Sequence, residues 1–477
     1  MFKIGKTNYI SEKWQLYGFV GVLALFALSL LFPTTITTVL FYVGLLVYAV
    51  LFPVKALAFL LIYFPVRAFY IEISPQLKLA GEIVIFGGLL HILWNARKDI
   101  LSLFRFHWFE LALFAFCAIG SISAYLSGVS IMAIITQLRA FLLMYLLYYI
   151  VKRLVVKKED IYWYVWTAFI VASILSVFGL IEKFSDKTFL YPADWSVYAG
   201  SKTNGPRIYG LAGNPNVLAS FLVLAVFTSL YLKGLLSGWK QKMVWVGIFL
   251  ISTVSILTYS RGTMLAMLVA FVVYIVWKRN WKNVLRITTI LAVSCALAFG
   301  VVEPLNKAYG IVNPDARDQY ERLFGTFSSE TLDNSINNGR LWIIKNGWTI
   351  FQDHPIAGSG FATFADSATL SYYSPIYEQY DLHKGIYSDN QYIQVLAQTG
   401  ILGTIAFLLF LLGMFVVILK RRDKPFFEFT MLLFVAVVAG SLVYNAWEEK
   451  TITLFMYGLL GILCSKSELV QGESLKK

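Results

Sequence analysis

Apolar stretches of roughly 16 to 24 residues recur along the chain, each close to the length that crosses the hydrocarbon core of a bilayer. Inside hydrocarbon every backbone polar group must be satisfied within its own segment, so runs of this length fold as helices. Only 14% of the residues are charged and 58% are hydrophobic, a balance no soluble domain shows. The chain is expected to be an all-α polytopic membrane protein of about 12–14 transmembrane helices.

The apolar runs place spans at 17–33, 36–52, 56–72, 80–95, 109–126, 131–151, 161–183, 216–233, 243–259, 262–277, 284–302, 396–419, 425–445 and 450–464. Pro53, Pro65 and Arg67 interrupt the second to fourth of these, the least regular part of the pattern. The basic start (Lys3, Lys6, Lys13) leads into an uncleaved first span. A net charge of +13 could suit nucleic acid, but its distribution argues otherwise. Five basic clusters sit in short links: Arg97/Lys98/Arg105, Lys152/Arg153/Lys157/Lys158, Lys233/Lys240/Lys242, Lys278/Arg279/Lys282/Arg286 and Lys420/Arg421/Arg422/Lys424. By the positive-inside rule these are cytoplasmic, and fourteen crossings put all five there, with both termini. No nucleic-acid partner is expected. Cys117, Cys295 and Cys464 lie in apolar runs as small buried hydrophobes.

The same threading divides the chain into an N-terminal bundle (1–302), a large extracytoplasmic loop (303–390) and C-terminal helices with a short cytoplasmic tail (391–477). In the loop acids outnumber bases, the reverse of the links.

Four constellations stand out on the outer side. In RIYGLAGNPNVLASF, Arg207 precedes Asn214-Pro215-Asn216, a turn whose amides suit a helix start; it is either a loop-to-helix junction or an anion site beside a helix N-terminus. In LTYSRGTML, Arg261 occupies a short outer turn against the positive-inside bias, which favours an external anionic partner. From Asn337 to Phe364, Trp342, Ile343, Gly347, Ile350 and Phe351 recur at helical spacing, and His354 is placed to cap that helix or to serve the site. Arg139 lies inside the sixth span, as a strut between helices or as a functional group. The stretch SDNQYIQVLAQTGILG adds Asp389, Asn390, Gln391, Gln394 and Gln398 where the loop re-enters the membrane; these are expected to line a site at the outer mouth.

Taken in order, an arginine before NPN, an SRG turn, a loop with R…W…HPIAGSG and an N-x-Y…GILG re-entry, the chain resembles the O-antigen ligase and Wzy-type polysaccharide polymerase family over about residues 130–420. The resemblance implies a GT-C-like architecture and a metal-independent inverting glycosyltransferase without cofactor. Its donor would be a glycan on polyprenyl (undecaprenyl) diphosphate, and its acceptor a hydroxyl of a glycan or lipid on the outer face of a bacterial cytoplasmic membrane. A flippase and a chain-length regulator are implied as partners beside the bilayer itself.

The residue chemistry agrees with that reading. Departure of a diphosphate calls for preorganised positive charge, for which Arg207 and Arg261 are the candidates, with Arg340 and Arg139 assisting. Asn214, Asn216, Asn390, His354 and His383 complete the expected substrate contacts, and Tyr372, Tyr373, Tyr377, Tyr380 and Tyr387 could stack on sugars or simply pack the loop. The family has His-Asn at the re-entry, with that histidine as the proposed base. Here Asp389 stands in its place and is the expected base, with His383 the substitute. Polymerisation of lipid-linked repeat units is the leading expectation; ligation of a finished glycan to a lipid, wall or protein acceptor is the alternative. A lipid-linked sugar flippase is a third reading, disfavoured because the unusual charges gather on one face.

Overall fold

A computed structural model describes residues 12–185, 195, 205, 207–310 and 339–465. The expected loop acids Asp315 to Asp333, Lys3 and Lys6 lie outside these residues. Among the described residues there are helices and turns and no strand.

Eleven helices among the described residues are long and apolar enough to cross a membrane: α1 (Lys13–Leu31), α3 (Pro53–Ile73), α4 (Pro75–Ala96), α5 (Trp108–Leu126), α6 (Ile131–Val151), α7 (Lys158–Phe184), α8 (Pro215–Gly234), α9 (Gly238–Leu257), α10 (Arg261–Lys278), α11 (Trp281–Tyr309) and α13 (Gln391–Leu419). Three shorter apolar helices, α2 (Thr35–Leu51), α14 (Phe427–Gly440) and α15 (Lys450–Cys464), account for the remaining predicted spans. Helix α12 (Arg340–Asp353) belongs to the loop.

The prolines that blur the early sequence pattern have ordinary causes. Pro53 sits at the first turn of α3, where its missing N–H costs nothing. Pro65 falls in a 3-10 turn, Phe64–Val66, that interrupts α3 because a mid-helix proline removes a hydrogen bond. Helix α11 corrects the expected loop start: it continues through a π-helical turn at Ala298–Val302 to Tyr309. Glu303 is therefore buried in the bundle, where it pairs with Lys183 at 2.7 Å and accepts a hydrogen bond from Tyr259. Of the cysteines Cys117 is buried, whereas Cys295 is exposed on α11.

Polar and basic groups separate to opposite ends. At one end Lys152 pairs with Glu110, Lys55 with Asp160 and Lys278 with Glu428. At the other, the N-termini of α8, α10, α13 and α15 meet the loop, which is docked rather than draped. The N–H groups of Ser359 and Gly360 donate to the carbonyls of Ala397 and Gln398 in α13, and the N–H of Phe361 donates to Gly120 in α5. Phe361 and Phe364 are fully buried.

Docking requires a break in α13. Gly400 adopts φ 57°, ψ −159° inside the helix, a region open essentially to glycine. The freed N–H groups of Ile401 and Leu402 donate to Pro355 and Ile356 of the loop. A Cβ at Gly400 would stand 2.5 Å from the Ile356 carbonyl and 2.6 Å from the Gly358 nitrogen. Gly400→Ala is expected to cost about 2–4 kcal/mol, read as a lowered unfolding midpoint in detergent. Gly458→Ala, with open space around the added carbon, serves as the control; equal midpoints would show that the break is dispensable.

Candidate functional site

The site grows from two short turns. Asn214 is extended before its proline and caps α8, its side-chain oxygen accepting from the Asn216 N–H at 2.8 Å. That cap fixes Asn216, whose side-chain oxygen accepts from Arg207 Nη2 at 2.8 Å and from Ser260 Oγ at 2.9 Å. Arg207 Nε also donates to the Thr258 carbonyl at 2.9 Å, and the guanidinium is largely buried. The chain before α8 is held by Glu182, which accepts the N–H groups of Tyr209 and Gly210 at 2.9 and 2.7 Å. Tyr259 takes up the sharp turn between α9 and α10 with φ 51° and is buried there with its hydroxyl on Glu303. Arg207, Asn214, Asn216 and the SRG turn are thus one assembly.

The third piece arrives from the loop. Arg340 opens α12, lines the same cleft as Asn216 and Ser260, and acts electrostatically on Arg261, the first residue of α10. Its Nε lies 3.3 Å from the Asp389 carboxylate, both side chains half exposed. His383 packs its ring on Trp342 at 5.5 Å, two residues along α12 from Arg340. Of these residues Arg340 lines the cleft itself, while Asp389 is reached through its contact with Arg340; the cleft lies between α8, α10 and α14. Its deeper walls are apolar, including Val223, Leu224, Met267, Leu433 and Val437, while Asn216, Ser220, Ser260, Thr263 and Arg340 bring polar groups to it.

Three helices therefore bring their N-termini to one cleft: Asn216 is in the first turn of α8, Ser260 immediately precedes α10 and Arg340 begins α12. The positive ends of the helix dipoles favour an anion there, and the Arg340 guanidinium, with Arg261 beside it, adds full charge. An apolar groove with a cationic end suits a long hydrocarbon chain carrying a phosphate headgroup.

Other expected residues have different surroundings. Asn390 caps α13: its side-chain oxygen accepts from Tyr392 and Ile393, and its amide donates to Leu442. His354 is the residue that ends α12. The 14 residues of that helix separate it from Arg340 by about 20 Å. Arg139 Nε donates to Glu82 of α4 at 2.6 Å, so it joins a different set of charges. The GSG step contacts protein backbone, not an open cradle.

The polar run at the start of α13 does not line the cleft. Gln391, Gln394 and Gln398 are buried. Gln394 donates to Glu448 at 2.6 Å, and Gln398 to Asp366 at 2.6 Å. The Gln391 oxygen accepts from the Trp447 N–H. Glu448 also accepts from Gln137 and from the N–H and hydroxyl of Ser367, while Asp366 accepts the N–H groups of Ala362, Ala368 and Thr369. Burial pushes both carboxyls up, helped in Asp366 by the nearby Glu448, and the hydrogen bonds oppose that shift. Sequence reasoning missed both acids; the one signal for Glu448 was a pair of carboxylates in the NAWEE turn between apolar runs.

Residues 246–408, from within α9 to beyond the break in α13, match the sequence model of the O-antigen ligase family. No curated protein matches the chain.

Proposed function

From the match of residues 246–408 to the O-antigen ligase family and from the cleft, we propose that the chain is a member of that family and joins lipid-linked oligosaccharide repeat units into a cell-surface polysaccharide. The observation that carries the proposal is the convergence of three helix N-termini with Arg207, Arg261 and Arg340 at one end of an apolar groove. The donor is a glycan on undecaprenyl diphosphate. Its hydrocarbon chain takes the groove between α8, α10 and α14, and its diphosphate meets Arg261 and Arg340. Arg207 is committed to Asn216 and the Thr258 carbonyl, so it acts largely by fixing the electropositive floor.

In the proposed step an acceptor hydroxyl attacks the anomeric carbon from the face opposite the diphosphate. The carbon–oxygen bond to the diphosphate breaks, the electron pair leaves with that oxygen, and configuration inverts. Guanidinium groups stabilise the departing charge without a metal ion. Asp389 takes the hydroxyl proton, oriented by Arg340. His383, on Trp342, borders the sugar side. The basic end of the bundle, with Lys152, Lys278 and their neighbours, then faces the cytoplasm of a bacterial cell, and the cleft faces outward. A flippase would supply the donor and a chain-length regulator would act on the product.

The lipid-linked glycans of cells lacking the protein test this directly. Single repeat units are expected to accumulate on the carrier and to disappear when the parent chain is restored; Asp389→Asn is expected to restore little. Long chains retained on the carrier would replace polymerisation with ligation to a final acceptor. Material held on the cytoplasmic leaflet would overturn both and favour a flippase.

A further inference from the structure

Arg139 belongs to a charge cluster that the cleft does not use. Lys450 begins α15, and the charges acting on it are Arg67 of α3, Glu82 of α4, Arg139 of α6 and Glu449. Lys450 and Ile452 are two positions apart on a helix, so they project about 200° apart. Ile452 lines the cleft, and Lys450 with its neighbours therefore occupies the opposite side of α15.

The cluster is short of partners. Glu449 spends its carboxylate on the N–H groups of Thr451 and Ile452, capping α15 at 3.0 and 2.7 Å. Glu82 and Glu449 bring two negative charges against the three cations Arg67, Arg139 and Lys450, and the Glu82 Oε1 is taken by Arg139. Arg67 reaches the Lys78 carbonyl through Nη2, but its buried Nε makes no hydrogen bond. The Lys450 ammonium forms no hydrogen bond or close ion pair among the described residues, only longer-range interactions with its charged neighbours. Glu82 Oε2 is buried without a donor. Such an excess of cations within a bundle of apolar helices is costly unless an anion balances it. Arg139 keeps 33% and Glu82 20% of the side chain exposed, so the cluster is reachable from outside the protein.

We propose that this cluster is a second binding site, one that takes a phosphate ester with a neighbouring hydroxyl, as in a phosphoglycerol group. Acceptor-only phosphate oxygens meet Arg67 Nε and the Lys450 ammonium, and the hydroxyl donates to Glu82 Oε2. A simple halide would satisfy the cations and leave Glu82 unserved. The site uses none of the cleft residues, so it stands or falls apart from the proposed transfer reaction.

Titration of the full chain with sn-glycerol 3-phosphate, in nanodiscs of phosphatidylcholine, tests it. Lys450→Met and Arg67→Met are each expected to weaken binding by about 10- to 100-fold, with Lys450→Arg close to the parent. Arg261→Ala is expected to leave the Lys450-dependent binding in place, since it reports only on the cleft. In nanodiscs containing phosphatidylglycerol, loss of that binding would identify a lipid headgroup as the occupant; its persistence would identify a soluble phosphate ester. Parent-like affinity in Lys450→Met and Arg67→Met, both melting as the parent does, would overturn the proposal.

Discussion

On the proposed reaction, Arg261→Ala is expected to lower glycan transfer by roughly 10²–10³-fold when purified protein is given a lipid-linked donor, and to leave the protein folded. Arg261 heads α10 at the turn that Ser260 and Asn216 fix, beside Arg340. In the proposed reaction a guanidinium there gains most when the diphosphate leaves, because the charge it faces grows along the reaction. Deleting it therefore reduces kcat more than it raises KM. Arg261→Lys keeps the charge but not the planar fork that holds two phosphate oxygens, so an intermediate loss is expected. Product length on a gel, with donor consumption, provides the measurement. Full turnover in Arg261→Ala would remove this residue from the leaving-group site.

The second large effect concerns stability. Glu448→Ala removes the acceptor used by Gln137, Gln394 and both donors of Ser367. These groups are buried or half-buried, and stranding them costs about 3–5 kcal/mol. The loss falls on the junction of α6, α13, α15 and the loop, so the loop should loosen with the bundle. A lower melting temperature in detergent is expected, together with faster proteolysis near Ser367. A melting temperature unchanged from the parent's would mean that water takes over the acceptor role.

The spans were legible because hydrocarbon imposes length and composition on each one separately, with no long-range knowledge needed. The NPN cap, the SRG turn and α12 were legible for a similar reason: caps and helical periodicity are local. The three glutamines of α13 were not. Their destinations lie 56 residues away at the Trp447 N–H, 54 away at Glu448 and 32 away at Asp366, and a side chain that reaches a buried partner is written like one that reaches a sugar. Gly400 was equally hidden, since glycines are common in membrane helices and only the docked Ile356 shows why this one breaks the helix. Glu303 was misplaced because a π turn prolongs α11 past the end of its most apolar stretch.

The Glu448 junction also has a consequence in time. Synthesis runs from the N-terminus, so Gln137 of α6, Ser367 of the loop and Gln394 of α13 all leave the ribosome before the one carboxylate that joins them. The loop that brings Arg340 and Asp389 to the cleft cannot be fastened until the α14–α15 hairpin follows. A nascent chain can thus insert most of its helices and still lack a finished cleft, which would delay the proposed chemistry until the last helices are in place.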